Sequence, residues 1–502
     1  MPDLRVFGDD TIKGNDSGGC WYLSDNAGNP IYGEITRAGD VVHYDRNDEP
    51  AAFNVLYRVA DFGEVILGTP PLPPRATPYN LNLEVAKAKL ERIKDRLQAW
   101  GQNGFSPSRV LKEEMAYAER LIKQAAEIED YSPPRCADLA DRALTRAVWA
   151  GESIAVEAGR HGLNRKISDG SSRRMLLGAN LFGFGRSDDY ARRFENVFNY
   201  ATLPFHWQSF EPEPGAERWD RIEAMLAWLQ PRGIVAKGHP LVWFYEPCYP
   251  RWAYGGSFDA IRDLNVERVR RVVSRCKGRI AFWDVINEAH DADHANVFGF
   301  GRSRLTEMTG AASQTAKAAD ADACRIVNVS SPFGEYAAVR LGKWTPLEYL
   351  AGCLKAGVDF DAIGLQFYYG SGVGFCRDML EISTLLDRYA ALGKPIHITE
   401  IGCPSSARPD SGGQAGPARV EQEHVGEWHG RWSESLQAEW VERFYTICCG
   451  KPYIPAVTWG DLADYDNHFH IHGGLLHEDY SPKPAYARVE ELAGKMGLLK
   501  ER

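Results

Sequence analysis

Two short runs, Trp283-Asp284-Val285-Ile286-Asn287-Glu288 and Pro395-Ile396-His397-Ile398-Thr399-Glu400, are β-branched, brief, and closed by a glutamate. Branching at Cβ stiffens χ1 and suits extended backbone, so both read as strands. Six more runs of this kind lie near 176–183, 198–205, 234–243, 324–331, 360–369 and 454–462, with amphipathic segments between them. Eight strand-then-helix units over about 320 residues predict an α/β chain folded as a (β/α)8 barrel rather than a doubly wound sheet. Functional side chains of such barrels gather at the C-terminal strand ends. Glu288 closes the fourth run and Glu400 the seventh, so the two face each other across the barrel mouth. One strand-end glutamate is as readily a salt bridge as a catalyst. A pair can divide the work of a retaining glycosidase, in which one carboxyl protonates the leaving group and the other attacks the anomeric carbon. The charge of Glu400 makes ionising Glu288 costlier and separates their roles.

Outward from the barrel the pattern changes twice. Residues 1–75 carry short β-type runs between Gly, Asp and Asn turns, among them Cys20-Trp21-Tyr22-Leu23 and Phe53-Asn54-Val55-Leu56-Tyr57-Arg58-Val59, and predict a small β-rich module, possible β-sandwich or carbohydrate-binding-like unit. Pro70-Pro71-Leu72-Pro73-Pro74 stops regular structure. Residues 76–168 follow helical periodicity, with Leu83, Ala86, Leu90, Ile93 and Leu97 on one face, and predict a helical bracing region; 169–502 is the barrel.

The chain has 502 residues, a net charge of -10 and 44% hydrophobic residues. An acidic balance disfavours a nucleic-acid partner, because phosphate binding leans on Lys and Arg. No apolar run is long enough for a membrane span, and Met1-Pro2-Asp3-Leu4-Arg5 lacks the basic-then-apolar pattern of a leader. The expected location is cytoplasmic, or outside the cell if an export segment is absent from this sequence. Ten cysteines show no Cys-x-x-Cys spacing and read as reduced, buried thiols.

With these runs in place, residues 174–495 resemble glycoside hydrolase family 10, best known for endo-β-1,4-xylanases. The run at 283–288 resembles the acid/base motif of that family, and Ile398-Thr399-Glu400 its nucleophile motif. Gly238-His239-Pro240-Leu241-Val242-Trp243 is similar to its third-strand motif. Gly364-Leu365-Gln366, Trp459-Gly460 and Ser481-Pro482-Lys483-Pro484-Ala485-Tyr486 follow in the family's order. The resemblance implies a retaining hydrolase of β-1,4 links in xylan or xylo-oligosaccharides that needs no cofactor. Glu288 and Glu400 would be catalytic. Asn287 would hold the 2-hydroxyl of the cleaved sugar, His239 and Gln366 would bind hydroxyls or orient Glu400, and Trp243 and Trp459 would offer flat faces to a pyranose ring.

The departures bear on substrate. Where the family carries a Glu-Asn pair and a Lys after strand two, this chain reads Thr202-Leu203-Pro204-Phe205-His206-Trp207-Gln208, an aromatic surface that bears the His206 imidazole in place of the charged grip. Tyr368 stands where the family tends to place a His, and a phenol there can donate to Glu400 and hold it as a carboxylate. Asn328 keeps the family pattern, but Val329-Ser330 replace an acidic and aromatic pair. Two histidine groups, His290-Asp291-Asp293-His294 and His468-His470-His472, offer sugar contacts, solvated loop or, least favoured, a metal site. Trp428 and Trp432 form either a substrate wall or ordinary loop packing. Alternative readings are a glycosidase for another plant β-glycan or a decorated oligosaccharide, a non-catalytic carbohydrate-binding protein, and a metal-dependent barrel hydrolase.

Overall fold

The computed structural model describes residues 2–8, 11–12, 21–45, 50–291, 294–338, 341–369, 376–407, 426–464 and 472–499. Its first strands are β1 (Asp3–Arg5), β2 (Trp21–Ser24), β3 (Pro30–Ile31), β4 (Glu34–Ala38), β5 (Val41–Asp45), β6 (Ala52–Val59), β7 (Gly63–Gly68) and β8 (Tyr79–Asn80). They form two four-stranded sheets, ordered β4-β5-β1-β8 and β3-β2-β6-β7. Tyr44 of β5 stacks on Phe53 of β6 with ring centroids 6.1 Å apart, and Trp21 meets the same ring edge-on. Trp21 and Tyr22 are buried, so these rings are packing material rather than an open sugar-binding face.

Three helices follow: α1 (Leu81–Gly101), α2 (Arg109–Glu127) and α3 (Pro133–Ser168). The Asn80 side chain caps α1 by accepting from the Leu83 amide, and Pro133 opens α3 where no helical N–H is needed. The long α3 buries a face of small residues, including Ala140, Ala147, Gly151 and Gly159. Against the barrel helix that starts at Glu434 the backbones come so close that a Cβ on Gly159 would stand 2.8 Å from Ile447 Cα. Glycine is required there for the layer to seat on the barrel.

The barrel strands are β9 (Leu176–Asn180), β10 (Tyr200–Pro204), β11 (Val235–His239), β12 (Phe282–Asn287), β13 (Cys324–Val329), β14 (Ala362–Tyr368), β15 (Ile396–Gly402) and β16 (Ala456–Asp461). All pair in parallel and in sequence order, and β16 closes onto β9. Helices α4 (Asp188–Val197), α5 (Trp207–Phe210), α6 (Trp219–Leu229), α7 (Phe258–Cys276), α8 (Arg302–Ala319), α9 (Pro346–Lys355), α10 (Met379–Ala390), α11 (Glu434–Gly450) and α12 (Pro484–Lys495) lie between and after them. The eight runs expected from the sequence are the eight barrel strands.

Three strands carry a bulge near their C-terminal ends: between Asp284 and Ile286 in β12, at the Leu365/Gln366 step facing Ile398 and Glu400 in β15, and between Trp459 and Asp461 in β16. In regular strand, residues three apart point to opposite faces. One inserted residue reverses that parity. Asp284 and Asn287 therefore share the interior face, as do His397 and Glu400.

Candidate active site

The mouth is built from strand ends. On β11, Lys237 and His239 point inward and converge on Asp284 of β12, whose Oδ2 lies 3.0 Å from Lys237 Nζ and 2.7 Å from His239 Nδ1. Burial alone would raise the Asp284 pKa, but the Lys237 ammonium and the His239 hydrogen bond outweigh it and hold the group ionised. With Nδ1 committed to Asp284, His239 turns Nε2 toward Glu400, 3.7 Å from Oε1.

Glu400 sits on β15 just past its bulge. The Tyr368 hydroxyl of β14 donates to its Oε2 at 2.6 Å. Burial, then the Glu400 carboxylate, push the Tyr368 pKa far up, so the phenol keeps the proton it donates. Oε1 is buried and accepts no hydrogen bond, which leaves one oxygen of the carboxylate open for chemistry.

Glu288 follows β12 directly, with φ at 54°. A left-handed backbone is unfavourable for a residue with a long side chain, and such strain clusters at functional positions. Here the Glu288 amide donates to the Asn328 carbonyl at 2.9 Å and its carbonyl accepts from the Asp291 amide at 2.9 Å, which holds the turn. The Trp243 indole N–H donates to Glu288 Oε2 at 3.1 Å. Burial, the Glu400 charge and then Asp291 raise the Glu288 pKa to about 8, against a smaller pull from hydrogen bonds of Gln366 and Trp243. One carboxyl is thus kept protonated beside another held by a phenol.

Asn287 is oriented by a relay. Thr399 Oγ1 donates to Asn328 Oδ1 at 2.6 Å, Asn328 Nδ2 donates to Asn287 Oδ1 at 2.8 Å, and Gln366 Nε2 donates to the same oxygen at 3.2 Å. Asn287 Nδ2 has no partner within the protein and is left as a donor. The Gln366 amide thus serves Asn287 and Glu288.

His206 lies beyond β10, with its ring 5.5 Å from Phe182, 5.6 Å from His239 and 5.8 Å from Trp243. Burial, then His239, push its pKa down to about 3, so the imidazole is neutral. Trp243 is partly exposed and stacks on Tyr245 at 4.9 Å. Trp459 differs from expectation. Its ring is wholly buried and its N–H donates to the Gly473 carbonyl at 3.1 Å, which makes it a backing wall rather than an open platform.

The histidine and loop-tryptophan expectations also change. His290 is buried with both ring nitrogens engaged, Nδ1 with the Tyr336 hydroxyl at 2.7 Å and Nε2 accepting from the Ser330 amide at 3.2 Å, so it is part of the scaffold. His294 pairs with Asp291 at 3.3 Å. Among the described residues no group of three His, Cys, Asp or Glu stands together as metal ligands do. Asp293, His468 and His470 lie outside the described residues. Trp428 and Trp432 are buried and stacked 6.1 Å apart; Trp428 donates to Glu152 of α3 at 3.3 Å, so the pair packs under the helical layer and is no substrate wall. The nine described cysteines are free, and all but Cys324 are buried.

Lys237 and Asp284 were missed in the sequence. Alternation of Lys237 with His239 pointed to the first, but the β12 bulge hides the parity of Asp284.

A closed parallel barrel carrying a protonated and a phenol-held carboxyl on strands four and seven has the form of a barrel glycoside hydrolase. The chain belongs to glycosyl hydrolase family 10, whose model matches residues 185–492. It is 27% identical over 341 residues to endo-1,4-beta-xylanase B of Thermotoga neapolitana, covering 65% of this chain and 88% of that one. With endo-1,4-beta-xylanase 3 of Hypocrea jecorina it shares 31% identity over 177 residues, 34% of this chain and 48% of the relative. The crystal structure of xylanase 10B from Thermotoga maritima, 23% identical, superposes with a TM-score of 0.51 over 66% of this chain and 98% of its own, and supports the barrel fold. The chain is therefore a glycoside hydrolase. No described helix is long and apolar enough to cross a membrane.

Proposed function

We propose that this enzyme hydrolyses β-1,4 links of xylan or xylo-oligosaccharides with net retention, by double displacement. The observation that carries the reading is the unequal environment of the two carboxyls: Glu400 receives the Tyr368 hydroxyl at 2.6 Å, while Glu288, partly buried, stands near that charge with its pKa raised to about 8. In the first step Glu400 Oε1 attacks the anomeric carbon, the C1–O bond to the leaving sugar breaks, and the proton of Glu288 passes to the departing oxygen. In the second, the Glu288 carboxylate takes a proton from water, the hydroxide oxygen bonds to C1, and the bond to Glu400 breaks. The Asn287 Nδ2, which has no partner among the described residues, would hold the 2-hydroxyl as charge develops at C1. Xylan as substrate is supported by family membership and by relatives named endo-1,4-beta-xylanases. Product configuration followed by proton NMR during hydrolysis of xylohexaose tests the mechanism. First release of the β-anomer is expected, and first release of the α-anomer would sink it.

A second reading, action on another β-glycan or a decorated oligosaccharide, is favoured by the neutral His206 surface beside Phe182 and Trp243. Initial rates on xylan, mixed-linkage glucan and xyloglucan separate the two.

A further inference from the structure

Asn180 ends β9, and its side-chain oxygen is buried with no hydrogen-bond partner although the residue is only 5% exposed. Burying such an amide unsatisfied costs free energy, so its persistence calls for a ligand or a reason. Register partners in parallel sheet share a face. Asn180 pairs with Thr202, and Thr202 with Lys237, whose ammonium reaches Asp284 inside the barrel. Asn180 therefore points inward at the C-terminal rim, on the same face as the catalytic pair. Its other register partner is Asp461 of β16, which follows the third bulge. That bulge gives Asp461 the interior parity of Thr458, as the β15 bulge does for Glu400. The charge of Asp461 also reaches Tyr368, contributing to its raised pKa after burial and Glu400.

Strands eight, one and two thus present a polar arc, Asp461, Asn180 and His206, across the mouth from Glu288 on strand four. Glu288 must face the leaving group, so the arc faces the glycone. Asn287, on strand four, is assigned the 2-hydroxyl. The arc is left with the opposite edge of the same ring, where a pentosyl unit has a bare methylene and a hexosyl unit has a hydroxymethyl.

We propose that Asn180, with Asp461 beside it, is a specificity-determining residue that hydrogen-bonds a hydroxyl on the edge of the cleaved sugar remote from its 2-hydroxyl. This rests on the glycosidase reading above. The amide takes either the 4-hydroxyl of a terminal sugar or the exocyclic 6-hydroxyl of a hexosyl unit, and three aryl glycosides tell these apart.

The test compares kcat/KM of wild type and Asn180→Leu, a near-isosteric change, on 4-nitrophenyl β-xyloside, β-xylobioside and β-cellobioside, with thermal denaturation as a check on folding. In the xylobioside the cleaved sugar has neither a free 4-hydroxyl nor a 6-hydroxyl, so its loss is expected to stay within about twofold. A loss of about tenfold is expected on the xyloside if the 4-hydroxyl is bound, or on the cellobioside if the 6-hydroxyl is bound. Asn180→Asp, which keeps an acceptor, should recover part of the affected rate. Equal losses on all three substrates, or none on any, would overturn the proposal while leaving the glycosidase reading intact. Failure of the wild type to release nitrophenol from any of them would overturn both.

Discussion

The Tyr368 hydroxyl donates to Glu400 Oε2 at 2.6 Å while Glu400 Oε1 accepts nothing, so the phenol fixes one oxygen of the carboxylate and leaves the other unbonded, as the proposed nucleophile requires. The donor is dependable because burial and the neighbouring charge keep Tyr368 protonated across the working pH range. Tyr368→Phe removes the bond and keeps the ring. Loss of one oriented donor to a reacting carboxylate is expected to lower kcat about a hundredfold. Steady-state kinetics on an aryl xylobioside would show it, and a loss confined to a higher KM with kcat unchanged would contradict the assignment.

The two glutamates should separate by leaving group. With 2,4-dinitrophenolate departing, little protonation is needed, so Glu288→Ala is expected to keep a rapid burst of phenolate followed by slow turnover. Glu400→Ala has no group to form the glycosyl-enzyme and should release nothing above background. Stopped-flow absorbance distinguishes a burst from none, and like behaviour of both variants would reverse the argument.

Much of this was legible beforehand, and the boundary has a physical cause. Strand existence rests on local β-branched composition, so the barrel and the strand-end positions of both glutamates could be read directly. Side-chain direction beyond a bulge could not, because Val285, Thr399 and Gly460 leave no mark that says one residue is extra in the ladder. The parity of Asp284 and Asp461 therefore had to come from the register. Burial of Trp459 and Trp428 was hidden for another reason: the groups that satisfy their N–H donors, the Gly473 carbonyl and Glu152, are remote in sequence. Tyr368 was readable because it occupies a recognisable position on the strand next to Glu400, the proposed nucleophile.

Glu288 also links activity to stability. Its folded pKa, about 8, lies above the ordinary value of 4.5 that the unfolded chain would show. The folded state retains a proton that the unfolded state has lost, so this group lowers stability as pH rises from about 4.5 to about 8, then no further. Glu288→Gln removes the penalty. It should match wild type at pH 4 and exceed it at pH 8 by on the order of a few kcal/mol at most. In the proposed mechanism the same proton is donated to the leaving group, so wild-type kcat/KM is expected to fall as pH passes about 8. Trp243→Phe deletes an indole bond that lowers this pKa, and should move the alkaline limb upward. Denaturation curves at two pH values and pH-rate profiles would check each point; a downward move for Trp243→Phe would refute the role given to the indole.

His429 ties the N-terminal module to the segment between β15 and α11. Its ring stacks on Trp428 at 3.8 Å and lies 4.3 Å from Trp149 of α3, with Phe62 edge-on at 4.7 Å. Its Nε2 lies 2.8 Å from Glu152 and its Nδ1 3.1 Å from Glu439, while Arg443 reaches both carboxylates. The Glu64 amide donates to the Glu427 carbonyl at 2.9 Å, and Gly63, at φ 118°, is packed so tightly that any Cβ would meet that carbonyl at 2.5 Å. Burial alone would lower the His429 pKa, but the two carboxylates outweigh it and the net shift is upward. A raised folded pKa means stability that is complete below the unfolded value and lost as pH climbs through the folded one. His429→Gln should therefore cost most near pH 6, about 3 kcal/mol for breaking a buried pair, and progressively less toward pH 9 as the wild-type imidazole gives up its proton. If the two proteins differed equally at both pH values, the imidazolium would not be what holds this loop.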